Sequence, residues 1–178
     1  FSFRSYFILP PSLLKKAKYY AVNFHPGAPE YPGTGCINFA LYDNAPKFGV
    51  TAHLMEESVD TGQIIKVIRF DISKEDTVSS LLAKTHKHLF ILFEEVLKKI
   101  VANKYDARLE KSVCMNDSWS KPATKGEDLL KLQSININVS EEKLSRIVRA
   151  TFIDKYPPFI VLHGYRFNLE SDKKTDNH

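Results

Sequence analysis

The sequence predicts an α/β fold, a sheet flanked by helices, followed by a smaller region of helix and β-hairpin. Three observations predict it. Strand-like and helix-like patterns alternate over the first hundred residues, an order that builds a sheet with crossover helices. One long amphipathic pattern begins after Asp76 and runs to residue 103. Beyond residue 104 the pattern loosens, and the chain then closes on two apolar runs either side of Gly164.

The elements follow in order. Residues 1–4 form a short apolar run, the end of a buried strand. Pro10 and Pro11 open a short helix over residues 12–17, because proline is tolerated in a first turn. Residues 19–25 alternate and are rich in Val, Tyr and Phe, the mark of a strand. Residues 26–35 hold three prolines and three glycines, so they make a structured loop. Residues 36–42 give one to two helical turns, and residues 48–55 and 64–70 give two more strands. Asp76 is the expected N-cap of the long helix, whose apolar stripe runs from Val78 to Ile100. A short helix is expected near residues 126–132, and Ser140 caps another over residues 141–150. Residues 159–163 and 165–169 form the hairpin, and the polar tail, 171–178, is expected to be disordered. The expected organisation is a core over 1–104, a helix and hairpin region over 105–170, and that tail. An α/β sheet rarely opens on a strand with nothing before it, so residues preceding Phe1 are expected to be missing.

Composition narrows the function. A chain of 178 residues predicts one domain, or one domain with a small appendage. Hydrophobic residues make up 43% and charged residues 26%, enough apolar side chain for a core. No stretch approaches the roughly 20 apolar residues of a membrane span. Residues 1–10 lack a basic leader and a small-residue cleavage site, so no signal peptide is expected. The net charge of +4 comes from scattered Lys and Arg, which argues against a nucleic-acid partner and suits an anionic small substrate. Cys36 and Cys114 stand far apart, which predicts neither a disulfide framework nor a cysteine zinc site. Two reduced thiols in a cytoplasmic protein are expected. The glycosylation patterns at Asn116 and Asn138 are read as chance without a secretory signal.

The chemistry concentrates on Asn23, His25 and Asp60. Asn23 and His25 lie two apart on a strand, so their side chains leave the same face. They sit at its carboxyl end, where open α/β sheets bind ligands. A carboxamide can donate to an oxyanion, and an imidazole can move a proton near neutral pH. Asp60, in a turn between two strands, can orient His25 and favour its charged form. Taken alone the set is open. His25 could simply cap a strand and Asp60 simply make a turn. An aspartic protease would need a second Asp-Thr-Gly turn, and the sequence has none.

The ordered motifs are more specific. Asn23-Phe24-His25-Pro26-Gly27, Tyr31-Pro32-Gly33, Gly49-Val50-Thr51-Ala52-His53 and Val59-Asp60-Thr61-Gly62-Gln63-Ile64-Ile65 together resemble the core of the N10-formyltetrahydrofolate-dependent formyltransferases. The resemblance implies a Rossmann-like core sheet, a catalytic triad of Asn23, His25 and Asp60, and N10-formyltetrahydrofolate as co-substrate, with no metal. Phe7, Ile8 and Leu9 resemble the folate-contacting stretch, with Val59 and Asp60 beside it. The family's N-terminal βα units, roughly 60–70 residues or two units' worth, have no counterpart here.

Two departures point within the family. Gly27-Ala28-Pro29-Glu30 replaces the Ser-Leu-Leu-Pro common after the His-Pro pair, which resembles sugar N-formyltransferases acting on 4-amino-4,6-dideoxy sugars. The ending through Arg146, Arg149, Thr151, Tyr156, Phe159, Gly164, Tyr165 and Phe167 resembles the C-terminal part of the same enzymes and implies a homodimer. The expected acceptor is a nucleotide-linked amino sugar, thymidine-linked 4-amino-4,6-dideoxyglucose, used for lipopolysaccharide O-antigen, with Pro26, Gly27, Tyr31 and Asn38 on the substrate side. Methionyl-tRNA formylation is the alternative, and a non-enzymatic folate or sugar-nucleotide binder is the rival from another class. His53 is expected to be packed or at a solvent edge. His86 and His88 face different directions and make a poor metal pair. Trp119 is expected to pack its loop onto the sheet. Lys98, Lys99 and Lys104 are expected to be a solvated helix end.

Overall fold

The computed structural model describes residues 1–5, 7–102 and 117–170. Cys114, Asn116, Lys104, the tail and the boundary placed at residue 104 lie outside them.

A four-stranded sheet forms the centre, in the order β1 (Ser2–Phe3), β2 (Val22–His25), β3 (Lys47–Leu54), β4 (Ile64–Asp71). β1 and β2 run parallel, with α1 (Pro11–Leu14) on the connection between them. β2 and β3 are antiparallel, and so are β3 and β4. The expectation of crossover helices therefore holds only at the first connection. α2 (Cys36–Tyr42) follows a ten-residue loop that turns the chain back, so the next strand enters in the opposite sense. Mixed sheets of this kind are common in α/β folds. β3 is buried on both faces from Phe48 to His53, as suits an inner strand covered on either side.

Two elements are shorter than their patterns suggest. α1 stops at Leu14, because no residue in it is buried and a single turn has little stability of its own. β2 begins at Val22, the first residue in register with β3, and Tyr19 before it is exposed.

α3 (Val78–Ala102) lies across β2, β3 and β4. It buries Val78, Leu81, Thr85, Leu89, Leu92 and Val96, a stripe at spacings of three and four. Its cap differs from the expected one. Thr77 accepts the first helical bond from Leu81 and takes the Ser80 N–H on its hydroxyl at 3.3 Å. Asp76 instead accepts from the Ser73 N–H, the Ser80 hydroxyl and Lys84, so it ties the preceding turn to the helix.

The C-terminal elements are α4 (Gly126–Gln133), α5 (Glu141–Thr151) and the hairpin β5 (Phe159–Leu162) and β6 (Tyr165–Asn168). Ser140 caps α5, accepting the Lys143 N–H. α5 packs Ala150 into the apolar cluster that holds Ile37, Ala40 and Leu41 of α2. Arg146 reinforces that contact, donating twice to the Tyr42 carbonyl and lying over its ring. The hairpin turns on His163 and Gly164, both left-handed, the backbone a two-residue turn needs. Val161, Tyr165 and Phe167 stand exposed on it. Among the described residues no helix is long and apolar enough to cross a membrane.

Gly62 sets a tight return between β3 and β4. A Cβ there would stand 1.9 Å from the Leu54 carbonyl oxygen, inside backbone that cannot swing away. Gly62→Ala should therefore cost about 2 kcal/mol or more of stability. Urea unfolding would read this as a lower midpoint at unchanged slope, and a wild-type midpoint would count against the tight return.

Candidate functional site

The site begins with strand register. β2 pairs with β3 so that Asn23 stands opposite His53 and His25 opposite Thr51. Alternation then sends Asn23, His25 and His53 to one face. Asp60 meets them from the turn between β3 and β4. Its backbone is left-handed, with φ 49°, a conformation that costs of order 1 kcal/mol for a residue other than glycine and that recurs at functional sites.

Asp60 is the point of convergence. Its Oδ2 lies 3.1 Å from His25 Nδ1 and accepts the Gly33 N–H at 2.8 Å. Its Oδ1 lies 3.2 Å from His53 Nε2 and 3.4 Å from the Asn23 amide nitrogen. The Asn23 amide also donates to His53 Nε2 at 3.1 Å. His53 Nδ1 donates to the Leu54 carbonyl at 2.7 Å, and His25 Nε2 to the Tyr31 carbonyl at 3.0 Å. The cluster is nearly dry, since His25, His53 and Asp60 are 4%, 2% and 5% exposed.

Both nitrogens of His25 face oxygen, yet a neutral imidazole carries one N–H. Both contacts attract only when a proton is shared with Asp60. Burial opposes that proton more than the Asp60 carboxylate and the Tyr31 carbonyl favour it, and the nearby His53 opposes it further. His25 is therefore held below its ordinary value. Asp60 is also buried, which by itself would raise its carboxyl. The His53 contact, the His25 ring and the Gly33 N–H outweigh burial and keep it below the usual carboxylate range.

The loop over residues 26–35 wraps this cluster. Gly27 is required under the His25 ring, because a Cβ there would sit 2.3 Å from Nε2. The Gly27 carbonyl accepts from the Thr51 hydroxyl at 2.7 Å, and the Pro26 carbonyl from the Cys36 thiol at 3.1 Å. Burial pushes that thiol up to about 12, so it stays protonated. Arg69 of β4 joins the loop to a distant segment, with two bonds to Glu30 and one to Asp117. Thr124 pairs with Pro32 and Thr34 through its backbone and hydroxyl.

Phe7, Ile8, Leu9 and Val59 line one recess together with Asn23, His53 and Asp60. Phe7 and Ile8 are 66% and 68% exposed, an apolar shelf beside a polar cluster. His25 lies behind Asp60 and does not line the recess. The four residues assigned to the substrate side are placed differently. Pro26 and Gly27 adjoin His25 with their carbonyls engaged within the protein. The Tyr31 ring packs on Phe48 under Lys121, and burial with the nearby Asp43 pushes its phenol up to about 12. The Asn38 amide donates to the Ala150 carbonyl at 2.7 Å, joining α2 to α5.

His53 is a fourth polar member of the cluster, where the sequence suggests only a packed or edge histidine. The signal was available: Thr51 and His53 are polar at a spacing of two in an otherwise apolar strand, in step with Asn23 and His25. Trp119 lies against the turn between β3 and β4, with its N–H bonded to the Gly62 carbonyl at 2.8 Å. His88 stacks on Phe70 at 4.1 Å, away from the cluster.

Residues 5–97 match the formyl transferase family model. Over 166 residues the chain is 25% identical to GDP-perosamine N-formyltransferase of Brucella melitensis, covering 86% of this chain and 56% of that protein. Over 101 residues it is 35% identical to methionyl-tRNA formyltransferase of Listeria monocytogenes, covering 56% of this chain and 32% of that one. Its fold matches the crystal structure of a 4-N formyltransferase from Francisella tularensis with a TM-score of 0.73 at 22% identity, covering 94% and 67% of the two chains. The chain thus spans about half the length of the first of these relatives and about a third of the second.

The buried pair makes the fold sensitive to acid. His25 and Asp60 are both depressed in the folded state, so the unfolded chain binds protons first as pH falls. Their stabilisation is complete above the ordinary histidine value of 6.5 and is lost progressively as pH drops, His25 first and then Asp60 below 3.8. Unfolding midpoints measured from pH 7.5 to 4 should fall across this range. His25→Gln should flatten the part nearest 6.5, and an unchanged slope there would contradict the buried neutral imidazole.

Proposed function

The chain belongs to the formyl transferase family, and from that premise we propose that it transfers a formyl group from N10-formyltetrahydrofolate to the amine of a nucleotide-linked 4-amino-4,6-dideoxy sugar. One observation carries the proposal: Asn23, His53 and Asp60 open onto the recess whose apolar side is Phe7, Ile8, Leu9 and Val59, with His25 directly behind. An apolar shelf suits the flat rings of a folate, and the polar cluster suits its formyl-bearing nitrogen.

The folate supplies an activated formyl carbon. The neutral amine of the sugar attacks that carbon. The Asn23 amide donates to the formyl oxygen as it gains charge. His25 takes up the amine proton by way of Asp60, which stands between it and the recess, and a depressed value keeps it in the basic form near neutrality. Asp60 orients His25 and passes a proton towards the departing nitrogen. His53, in contact with both Asn23 and Asp60, holds the two in register. No covalent intermediate on the protein is required.

The likeness to the Brucella enzyme over most of this chain supports the sugar-nucleotide acceptor. The 35% identity to a methionyl-tRNA formyltransferase favours a second reading, formylation of charged initiator tRNA. The mild, scattered positive charge weighs against it, because RNA binding draws on a dense basic surface. The exposed apolar hairpin supports a homodimer, since an isolated two-stranded hairpin with bare apolar groups is marginal in water.

Three outcomes follow for the intact protein. Asn23→Ala should lose about two to three orders of magnitude in turnover at a temperature where the variant remains folded, and near-full activity would remove Asn23 from the chemistry. Amino-sugar nucleotide and charged initiator tRNA, offered together with radiolabelled formyl-folate, should compete in favour of the sugar. Label mainly on the tRNA would overturn the acceptor and leave the formyl chemistry standing. Deleting residues 157–178 should give monomeric or insoluble protein by light scattering, whereas a soluble, active dimer would rule out the hairpin as the interface.

A further inference from the structure

Trp119 stands 57 residues beyond Gly62 in sequence, yet its ring lies against both imidazoles of the buried cluster. The contact is edge-to-face with each. The centroid lies 5.0 Å from His53 at 87°, and 5.8 Å from His25 at 69°. The indole is fixed from several sides. Its N–H donates to the Gly62 carbonyl at 2.8 Å, just past the Asp60 turn. Two residues earlier, Asp117 meets Arg69 at 2.6 Å, and Arg69 also grips Glu30 of the loop. On the following side, the Ser120 N–H donates to the Pro29 carbonyl, and the Thr124 backbone pairs with the same loop.

We propose that Trp119 is a positioning residue for formyl transfer, an indole plug that fixes the orientation of His25 and His53 and keeps water from the rings, with Arg69 as the latch that holds its segment in place. The proposal rests on the formyl-transfer reading only for its kinetic consequence. An edge-to-face contact restrains the position and tilt of each imidazole. A displacement of even about 1 Å can cost on the order of a hundredfold in rate. Every other titratable group facing His25 remains when the indole is removed: Asp60 from the turn, His53 from β3 and Cys36 from α2. Glu30 and Asp117 are committed to Arg69. The change on removing the indole is therefore one of water access. Burial is the largest influence holding His25 low, so admitting water raises it.

The test is titration of His25 by NMR in the wild type, Trp119→Leu, Trp119→Phe and Arg69→Gln, with kcat and KM measured on the same samples. Trp119→Leu should raise the His25 midpoint by about one pH unit. It should also lower kcat by about tenfold to a hundredfold with KM nearly unchanged, and move the acid limb of the rate profile to higher pH. Trp119→Phe keeps a ring against the imidazoles and should stay close to wild type. Arg69→Gln touches neither imidazole and should shift His25 the same way by a smaller amount. A His25 midpoint unmoved in Trp119→Leu overturns the proposal. If that variant fails to fold, an unmoved midpoint in Arg69→Gln overturns it equally. Absence of formyl transfer in the wild type would sink the functional reading alone, since the titrations decide the role of Trp119 without turnover.

Discussion

The arrangement depends on one buried carboxylate. Asp60 can stay ionised out of water only if donors meet both of its oxygens, because an uncompensated buried charge costs several kcal/mol. Those donors come from separate places, the Asn23 amide on β2 and the Gly33 N–H in the loop, and the rings of His25 on β2 and His53 on β3 close around the carboxylate. Each must arrive for the others to be worth burying. The carboxylate therefore couples strand register, loop conformation and a left-handed turn into one condition. A slip of β2 against β3 by one residue would send Asn23 and His25 to the other face and leave Asp60 bare.

The mixed sheet makes this possible. In an all-parallel sheet, consecutive strands present their carboxyl ends together, and the polar residues of neighbouring strands would come from distant loops. Here β3 returns antiparallel beside β2, so the β3–β4 turn begins beside the first residues of β2, with Val22 opposite Leu54 and Asn23 opposite His53. The turn then brings Asp60 back against Asn23, His53 and His25 with no long excursion. Gly62 permits that return, and its carbonyl is the anchor for Trp119. The same short segment thus supplies the central carboxylate, the tight turn and the seat of the ring that covers the imidazoles.

The loop over residues 26–35 is held by bonds rather than by side-chain bulk. Its carbonyls accept from Thr51, Cys36 and His25, and its amide at Gly33 donates to Asp60. The segment from Asp117 to Thr124 braces it from outside through Arg69 and the Thr124 pairing. Tyr31 and Asn38, the two side chains that the sequence offered for substrate contact, are occupied within the fold in this conformation. Tyr31 packs on the core and Asn38 fastens α5.

Local pattern carried a great deal in this chain. Alternation at Asn23 and His25, the helical stripe from Val78 to Val96 and the proline–glycine loop were legible because each is a short-range property of residues close in sequence. The ordered motifs around Asn23, His25 and Asp60 pointed to formyl transfer for the same reason: they are contiguous. Strand direction was not legible, since a helix between two strands is compatible with either sense until the loop before it is built. The cap of α3 passed from Asp76 to Thr77 because Asp76 was taken by Lys84 and Ser80, a choice made by packing. His53 became a member of the cluster only through its cross-strand pairing with Asn23, and Trp119 met the two imidazoles only once a segment far along the chain had folded back. The sequence by itself determined which residues could do chemistry. The tertiary structure decided which of them share a dry space, because contact between residues far apart in sequence, such as Asn23 with His53 or His25 with Trp119, is set by the path of the backbone.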